Sequence, residues 1–326
     1  MSNGFWDNLK KPILVLAPMA DVTDVAFRRV IAKYGKPDVM WTEFVSADGL
    51  ARAPEEGRKK LLKDLEYSEA ERPIVAQFFT ANPVHMEHVA KLACDLGFDG
   101  IDINMGCPDK TIEKHKSGAA LIKTPKLAKQ LIRAAKRGVE SSGKNIPVSV
   151  KTRAGYNKVE IEEWIPELLA EEPAVLILHA RTRKEMSKVP AQWELVNRAV
   201  EIRNELGSKT LIFGNGDIKD LNDARQKIKE SGADGAMLGR AIFGNPWLFA
   251  ESTPTLKEKL EVLVEHTKLF EEHLVMMKNF SIMKKHYKAY VNGFDGANEL
   301  RGKLMETNSA SEVEEIIQTF IQSMSM

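Results

Sequence analysis

The sequence contains few cysteines, no long apolar run and almost no net charge. Its two cysteines, Cys94 and Cys107, are too few for a disulfide framework, and their spacing matches no metal-binding motif. No uninterrupted apolar stretch reaches the roughly 18 residues that a membrane-spanning helix requires. A formal net charge of +1 provides no global attraction to a polyanion, so any contact with nucleic acid must be local.

The first residues also lack the features of a secretory signal. The stretch from Met1 to Asp7 has neither a basic segment nor an apolar one, so we expect a cytoplasmic protein that makes no membrane contact. Hydrophobic residues make up 43% of the chain and charged residues 29%, which is ordinary globular composition. We further expect a monomer without a bound metal ion.

Short apolar runs rich in β-forming residues alternate with amphipathic helical patterns from residue 13 to about residue 250. The predicted strands span residues 13–19, 38–45, 74–79, 100–106, 147–153, 175–181, 210–216 and 235–240. Runs such as Leu176-Ile177-Leu178 suit strands that are buried on both faces, as parallel sheets require. Eight strands with helical crossovers fit an α/β fold of the (β/α)8 TIM-barrel type better than an open sheet.

Beyond Thr253 the pattern changes to helices without strand signals. These helices are predicted over residues 256–273, 280–292, 296–305 and 311–323. Ser311 and Glu314 have the spacing of a capping box, which predicts a helix start there. The chain is therefore predicted to divide into a barrel over residues 1–252 and a small all-α domain over residues 253–326.

Polar residues and glycines collect at the predicted carboxyl ends of the strands, where barrels of this kind place their active sites. These strand ends carry Pro18-Met19-Ala20, Gln77, Asn104 with Cys107, Lys151 with Arg153, His179 with Arg181, Asn215-Gly216-Asp217 and Gly239-Arg240. A purely structural use would scatter such residues along the chain, so the pattern predicts one functional mouth.

The ends of the seventh and eighth strands indicate a phosphate site. Asn215-Gly216-Asp217 and Gly239-Arg240 lie where barrels commonly hold a phosphate. Glycines permit close backbone approach, and arginine adds a bidentate charge. A plain turn explains the Asn-Gly-Asp run equally well when that run is taken alone.

Lys151 ends a buried strand, where an ammonium group is costly unless an anion meets it. It is suited to stabilising negative charge on a cofactor or to forming a Schiff base with a carbonyl substrate, and a structural ion pair is the alternative. His179 shares this rim and can donate a hydrogen bond to the same cofactor.

Cys107 lies between Gly106 and Pro108 in a rigid turn, whereas Cys94 falls within a helical pattern and is predicted to be a small core residue. As a nucleophile, Cys107 would need a depressed pKa. A general acid instead needs the neutral thiol, which an ordinary pKa of about 8.5 already favours. No histidine is an evident base for this cysteine, which favours the acid.

Taken together, these runs resemble the tRNA-dihydrouridine synthase family over nearly the whole chain. The likeness runs through Leu16-Ala17-Pro18-Met19-Ala20-Asp21-Val22-Thr23-Asp24, Gln77, Asp102-Ile103-Asn104-Met105-Gly106-Cys107-Pro108, Val150-Lys151-Thr152-Arg153, His179-Ala180-Arg181-Thr182-Arg183, Gly214-Asn215-Gly216-Asp217-Ile218 and Met237-Leu238-Gly239-Arg240-Ala241. The resemblance implies an FMN-binding barrel followed by a helical tRNA-binding domain. It also implies that reduced FMN delivers hydride to C6 of a uridine, that a thiol protonates C5, and that NADPH reduces the flavin again.

The resemblance assigns a role to each strand end. The residues expected to contact the flavin ring are Pro18, Met19, Ala20, Gln77, Lys151 and His179. Those expected to hold its phosphate are Asn215, Gly216, Asp217, Gly239 and Arg240. Cys107 matches the proton donor, and the residues expected beside the substrate are Asn104, Arg153 and Arg181.

A basic patch in the helical tail is expected to contact tRNA phosphates, which makes binding salt-dependent. The basic residues of this stretch are Lys278, Lys284, Lys285, Lys288, Arg301 and Lys303. Among them we expect Lys284, Lys285 and Lys288 to bind the substrate. The aromatic residues Tyr287 and Tyr290 recur at helical spacing and are expected in the core instead.

Asp21 departs from the family pattern, because glycine usually stands there, and this puts the turn beside the flavin and the subfamily in question. Two alternatives remain open. One is a dihydroorotate-dehydrogenase-like flavoprotein acting on a free pyrimidine, against which the basic tail argues. The other is a non-catalytic tRNA-binding protein on a flavin barrel, against which the intact Cys107, Lys151 and phosphate residues argue.

Overall fold

The predicted barrel is present and closed. The computed structural model describes residues 4–324. Its strands are β1 Ile13–Leu16, β2 Met40–Ser46, β3 Ile74–Phe79, β4 Gly100–Met105, β5 Val148–Arg153, β6 Val175–His179, β7 Leu211–Asn215 and β8 Gly235–Leu238. All neighbours run parallel, in the order β1-β8-β7-β6-β5-β4-β3-β2. A parallel bridge between Val15 and Val39 joins β1 to β2 and closes the ring.

Several predicted strands extend too far at their carboxyl ends. β1 ends at Leu16 rather than at residue 19, β6 at His179 rather than at residue 181, and β8 at Leu238 rather than at residue 240. Beyond these points the chain turns away from the sheet to form the loops of the mouth. Some residues of the sequence motifs therefore lie at the last positions of the strands, and the others lie in the loops that follow.

Helices surround the barrel and continue beyond it. Those within the barrel part are α1 Val25–Tyr34, α2 Ala47–Arg52, α3 Glu55–Lys63, α4 Pro83–Asp95, α5 Lys110–Lys114, α6 Pro125–Ser141, α7 Ile161–Leu169, α8 Glu194–Glu205 and α9 Leu221–Ser231. Those after β8 are α10 Leu256–Leu274, α11 Met283–Tyr290, α12 Ala297–Met305 and α13 Ala310–Met324. The long charged segment between β2 and β3 forms α2 and α3, so it does not interrupt the alternation of strands and helices.

The barrel interior is apolar near the amino ends of the strands and polar near their carboxyl ends. Trp6, in a short 3-10 turn over Gly4–Asn8, covers the amino end, and its ring centroid lies 5.9 Å from that of Trp41 and 5.6 Å from that of Phe213. Buried side chains such as Ile177 fill the middle. A ligand is thus admitted at the carboxyl end, as in other barrels of this type.

The C-terminal helices pack against α1 on the outside of the barrel. Lys33 of α1 forms an ion pair with Glu265 of α10 at 2.8 Å, and a guanidinium nitrogen of Arg29 lies 2.7 Å from a ring nitrogen of His273. Tyr287 and Tyr290 are buried, which confirms that they are core residues. The helical part therefore has a defined orientation relative to the mouth.

The predicted capping box at Ser311 is wrong. Helix α13 begins one residue earlier, and the hydroxyl of Ser309 accepts the Glu312 N–H at 3.3 Å. Glu314 forms an ion pair with Lys268 of α10 at 2.7 Å instead of folding back on the helix start. A tertiary partner has replaced the local contact. The domain boundary predicted at Met326 lies outside the described residues.

No helix within residues 4–324 is both long enough and apolar enough to cross a bilayer. The same residues bring together no cluster of histidine, cysteine and acidic side chains suited to a metal ion.

Candidate active site

The register of the sheet aligns the polar strand ends at one level. Gln77 of β3 pairs with Asp102 of β4, and Asn104 of β4 pairs with Lys151 of β5. On the other side of the ring, His179 of β6 pairs with Asn215 of β7. Because parallel neighbours in register point the same way, these side chains meet at the carboxyl end of the barrel.

A cavity of about 610 Å³ opens at this end. Among the residues predicted to bind a cofactor, it is lined by Pro18, Met19, Lys151, His179, Asn215, Gly216, Asp217, Gly239 and Arg240. The predicted contacts Ala20 and Gln77 do not line it. Cofactor sites commonly enclose about 300–1,000 Å³, so the cavity has the size that such a ligand requires.

The cavity favours an anion because most of the charged side chains around it are cationic. Lys151, Arg181, Lys219 and Arg240 line it together with one carboxylate, that of Asp217. Burial, followed by the charge of the nearby Arg153, lowers the pKa of Lys151 to about 8. The Lys151 ammonium has no hydrogen-bond or ion-pair partner within residues 4–324, so it remains available to a ligand.

His179 is neutral and has a defined tautomer. Burial, followed by the charges of Lys151 and Arg153, lowers its pKa well below the ordinary value. Its Nε2 lies 3.2 Å from Nη1 of Arg181, and a guanidinium has only donors. Nε2 must therefore be the acceptor, which leaves the ring proton on Nδ1, where it can donate to a bound ligand.

The predicted phosphate end is built around Asp217, which pairs with both Arg181 and Arg240. Asp217 itself has a positive φ of 48°, which is unusual for a residue other than glycine. Gly216 has a φ of +123°, and a Cβ there would lie 2.8 Å from the Cβ of Ala191 and 3.2 Å from the ring of His179. The close packing of this turn explains the glycine and sets the floor of the cavity.

Two residues predicted to contact the substrate, Arg153 and Arg181, instead donate hydrogen bonds to the backbone of the loops. Arg153 donates to the carbonyl oxygen of Gly106 at 2.7 Å and to that of Thr182 at 3.2 Å. Arg181 donates to the carbonyl oxygen of Val189 at 2.6 Å. Both guanidinium groups are buried and hold the loops of the mouth together, although Arg181 also lines the cavity.

Cys107 lies in a tightly held turn that follows β4. The side-chain oxygen of Asn104 accepts the N–H groups of Gly106 at 3.1 Å and of Cys107 at 2.9 Å. Burial raises the pKa of the Cys107 thiol and outweighs the hydrogen bond from the Asp109 backbone, which lowers it. A raised pKa keeps the thiol protonated at neutral pH. Cys94 is buried in α4, as predicted.

Asp102 carries no role in the sequence-based prediction, yet it fixes this turn. Its carboxylate accepts the Ser149 hydroxyl and the Gln77 amide, both at 2.6 Å, and Gln77 in turn accepts the Asn104 amide at 3.0 Å. The chain of hydrogen bonds thus runs from a fully buried carboxylate to Cys107. Burial raises the pKa of Asp102 to about 6. Its position between Ile101 and Ile103, in a buried strand, is the signal in the sequence that identifies it.

The basic patch is divided. Lys288 is exposed and Lys284 is partly exposed, and no carboxylate within residues 4–324 pairs with either of them. Lys285 is half-buried and faces Asp21. Lys278, grouped with the patch from the sequence, is directed instead into the barrel, where it pairs with Glu43 of β2 at 2.7 Å. Because this pairing depends on a contact between residues far apart in the chain, the local sequence does not reveal it.

Comparison with known proteins places the chain in one family. The family model described as dihydrouridine synthase matches residues 15–325. A probable tRNA-dihydrouridine synthase of Staphylococcus epidermidis is 39% identical over 325 residues, covering 98% of this chain and 97% of that protein. The probable tRNA-dihydrouridine synthase 2 of Bacillus subtilis is 39% identical over 324 residues, with the same coverage.

Solved structures share the barrel at much lower identity. Histamine dehydrogenase from Rhizobium sp. 4-9 superposes with a TM-score of 0.53 at 12% identity over 78% of this chain, which spans about half of that protein, 48%. DHODH from Eimeria tenella, in complex with ferulenol, gives 0.51 at 14% identity, covering 79% of this chain and 81% of that one. These likenesses confirm the TIM-barrel fold.

Proposed function

Because the chain belongs to the dihydrouridine synthase family, we propose that it reduces the C5=C6 bond of specific uridines in tRNA to 5,6-dihydrouridine. It uses bound FMN, which NADPH reduces. The observation that carries this proposal is the 39% identity to named tRNA-dihydrouridine synthases over nearly the whole chain. The cationic cavity beside a protonated cysteine is the arrangement that such chemistry requires.

The residues around the cavity fit a flavin mononucleotide. The half-buried Lys151 ammonium, which has no partner within residues 4–324, needs an anionic group, and the turn at Gly216 packs too closely to admit a side chain. In this assignment Arg240 and the Asn215-Gly216-Asp217 turn hold the phosphate, and Pro18 and Met19 lie against the ring system. When bound, reduced FMN would supply the hydride that reduction of the uracil ring requires at C6.

Lys151 and His179 act on the ring end of the same ligand. Lys151 would stabilise negative charge on the ring system, since an ammonium in a site shielded from water interacts strongly with a nearby anion. The Nδ1–H of His179 donates a hydrogen bond to the same side. Arg181 holds the His179 ring before the ligand binds, so this group needs little reorganisation.

Cys107 supplies the proton. Addition of hydride at C6 leaves negative charge at C5 and O4, and a neutral thiol on the opposite face can protonate C5 as a general acid. The raised pKa of Cys107 maintains that neutral form. Asn104 holds the turn through its carbonyl oxygen and lies beside the reacting base.

The helical domain over residues 253–326 binds the tRNA in this proposal, with Lys284 and Lys288 at the phosphates. The target uridine must leave its stack to reach a site at the barrel mouth, so base extrusion is part of the reaction. Arg153 and Arg181 act on the substrate indirectly, through the loops they hold.

The test is to incubate the purified protein with unmodified tRNA transcripts and NADPH and to map dihydrouridine by mass spectrometry. We expect reduction at defined uridine positions and FMN in the protein. Parallel reactions with NADH and with dihydroorotate test the reductant and the free-pyrimidine alternative. Turnover of dihydroorotate without any dihydrouridine in tRNA would overturn the proposal in favour of that alternative.

A further inference from the structure

Three consecutive apolar residues are exposed where the helical part meets the barrel mouth. Val275, Met276 and Met277 follow α10 and retain 41%, 91% and 39% of their accessible surface. We call residues 275–277 the apolar tip. Water-exposed runs of this kind are unfavourable unless a partner covers them, because each side chain loses the stabilisation that burial provides.

The apolar tip is held firmly at both ends. On one side, His273 contacts Arg29 of α1 at 2.7 Å and Glu66 at 3.4 Å. On the other, the ammonium of Lys278 pairs with Glu43 at 2.7 Å. The N–H groups of Met277 and Lys278 both donate to the Leu274 carbonyl oxygen at 2.8 Å. The tip is therefore a closed turn, presented by contacts with the barrel, and not a loose loop.

The Lys278 contacts also connect the tip to the loop after β1, which carries the cavity residues Pro18 and Met19. Besides Glu43, the ammonium lies 3.5 Å from Asp21 and 3.4 Å from Asp64. The N–H of Asp21 donates to Glu43, and Asp21 is two residues from Met19, which lines the cavity. Asp21 takes a positive φ of 53°, so it keeps a glycine-like backbone while providing a carboxylate for Lys278. Burial alone would lower the pKa of Lys278, but Glu43 and Asp64 raise it, so that its charge persists.

We propose that the apolar tip contacts the nucleobases of the RNA that flank the extruded uridine. This inference rests on the proposed function. Extruding a base exposes the faces of its neighbours, and proteins that unstack nucleic acids insert apolar side chains, methionine among them, against such faces. Methionine is unbranched and polarisable, so it adapts to bases of any identity. Lys284 and Lys288 of the neighbouring α11 supply phosphate contacts on the same helical part.

Cross-linking tests the contact without requiring turnover. The flavin-loaded protein is mixed with tRNA transcribed with 4-thiouridine, without NADPH, and irradiated, and the cross-linked peptides are identified by mass spectrometry. We expect cross-links within the peptide that contains residues 275–277. Cross-links confined to other surfaces would overturn the proposal for the tip, whereas absence of dihydrouridine in the NADPH reaction would overturn the proposed function instead.

The matched variants are Met276→Ser with Met277→Ser, against Leu206→Ser as control. Leu206 is also apolar and 55% exposed, but it follows α8 at the opposite face of the barrel. We expect the double variant to lose about tenfold in kcat while its Kd for tRNA changes little, since losing the apolar contact with unstacked bases impairs extrusion more than it impairs phosphate contact. Turnover equal to that of Leu206→Ser would refute the inference. So would a wild-type dimer that the double variant converts to a monomer, because the tip would then be a contact between copies of the chain.

Discussion

At the scale of single residues, Cys107 is the group on which the proposed chemistry depends. Replacing it with alanine is expected to reduce kcat by roughly 10²–10⁴, the usual contribution of a positioned general acid. Flavin content and tRNA affinity are expected to stay unchanged, because the thiol side chain does not line the cavity. The measurements are dihydrouridine formation, the visible spectrum of the bound flavin, and tRNA binding.

The control for this substitution is Cys94→Ala, which removes the same group from a buried position in α4. Loss of the Cys107 proton is also expected to lower wild-type activity at alkaline pH. Because burial raises the pKa of the Cys107 thiol, the protonated donor persists at neutral pH and is lost as the pH rises through that raised value. A Cys107→Ala variant as active as Cys94→Ala would show that another group donates the proton.

Asp102 acts on Cys107 through Gln77 and Asn104, and it is therefore a positioning residue. In Asp102→Asn one acceptor oxygen becomes a donor, so the side chain can no longer accept from both the Gln77 amide and the Ser149 hydroxyl, and the order of hydrogen bonds is disturbed. We expect kcat to fall about tenfold, with KM nearly unchanged, since a misdirected buried hydrogen bond costs roughly 1–3 kcal/mol. Ser149→Ala removes only one donor to the same carboxylate and is expected to have a smaller effect.

The pH profile distinguishes this role from a general loss of stability. Burial raises the pKa of Asp102 to about 6, so wild-type kcat is expected to decline as the pH falls through that value and the carboxyl gains a proton. Asp102→Asn cannot titrate, and its profile is expected to lack this acidic limb. The same acidic decline of kcat in the wild type and in Asp102→Asn would show that another group causes it.

At the scale of elements, helix α11 separates its two functions by face. Its inner face carries Tyr287 and Tyr290 into the core, and its outer face carries Lys284 and Lys288. Lys288→Glu is expected to weaken tRNA binding several-fold and to reduce the slope of log K against log salt by about 1, as loss of one phosphate contact does. Fluorescence anisotropy at several salt concentrations measures both quantities.

Lys229→Glu is the matched control, because it makes the same charge change at the end of α9, on the face of the barrel away from the mouth. Equal weakening of tRNA binding in both variants would show that the effect comes from net charge alone. Lys285 is less suitable for charge reversal. It is half-buried and faces Asp21, Asp24 and Glu43, so that a new carboxylate there would disturb the barrel mouth as well as the RNA contact.

At the scale of the whole molecule, the junction between barrel and helical part contains two buried histidines. His266 of α10 and His286 of α11 lie 4.6 Å apart between ring centroids, and His266 stacks on Phe27 of α1 at 4.8 Å. Burial, with a smaller effect from Lys285, lowers the pKa of His286 to about 3. Burial and the neighbouring His286 lower the pKa of His266 well below its ordinary value.

These pKa shifts predict acid sensitivity of the junction. The unfolded chain protonates each histidine near pH 6.5, but the folded protein does not, so the free energy of unfolding falls as the pH drops below that value. The slope of the free energy of unfolding against pH approaches about 1.4 kcal/mol per pH unit for each histidine. This slope persists down to the depressed pKa of the histidine in the folded state. Urea unfolding at pH 7.5 and at pH 5.5 measures the difference.

His286→Phe removes one of these titrations and is expected to lessen the pH dependence, whereas His115→Gln, at an exposed position, is expected to leave it intact. Unchanged pH dependence in His286→Phe would mean that the junction does not control acid unfolding.

The sequence by itself determined the elements of the fold, and it supplied the candidate residues on which the proposed chemistry depends. Apolar periodicity is a local property, so it located all the strands, and the motifs placed Lys151, His179 and Cys107 at strand ends. The tertiary structure decided what those groups contact. In the closed barrel Arg153 donates to loop carbonyl oxygens, and hydrogen bonds through two amides connect Asp102 to Cys107. Lys278 of the tail forms an ion pair with Glu43. Such pairings depend on distances between residues far apart in the chain and on the burial that removes competing water, and neither quantity is encoded in a local pattern.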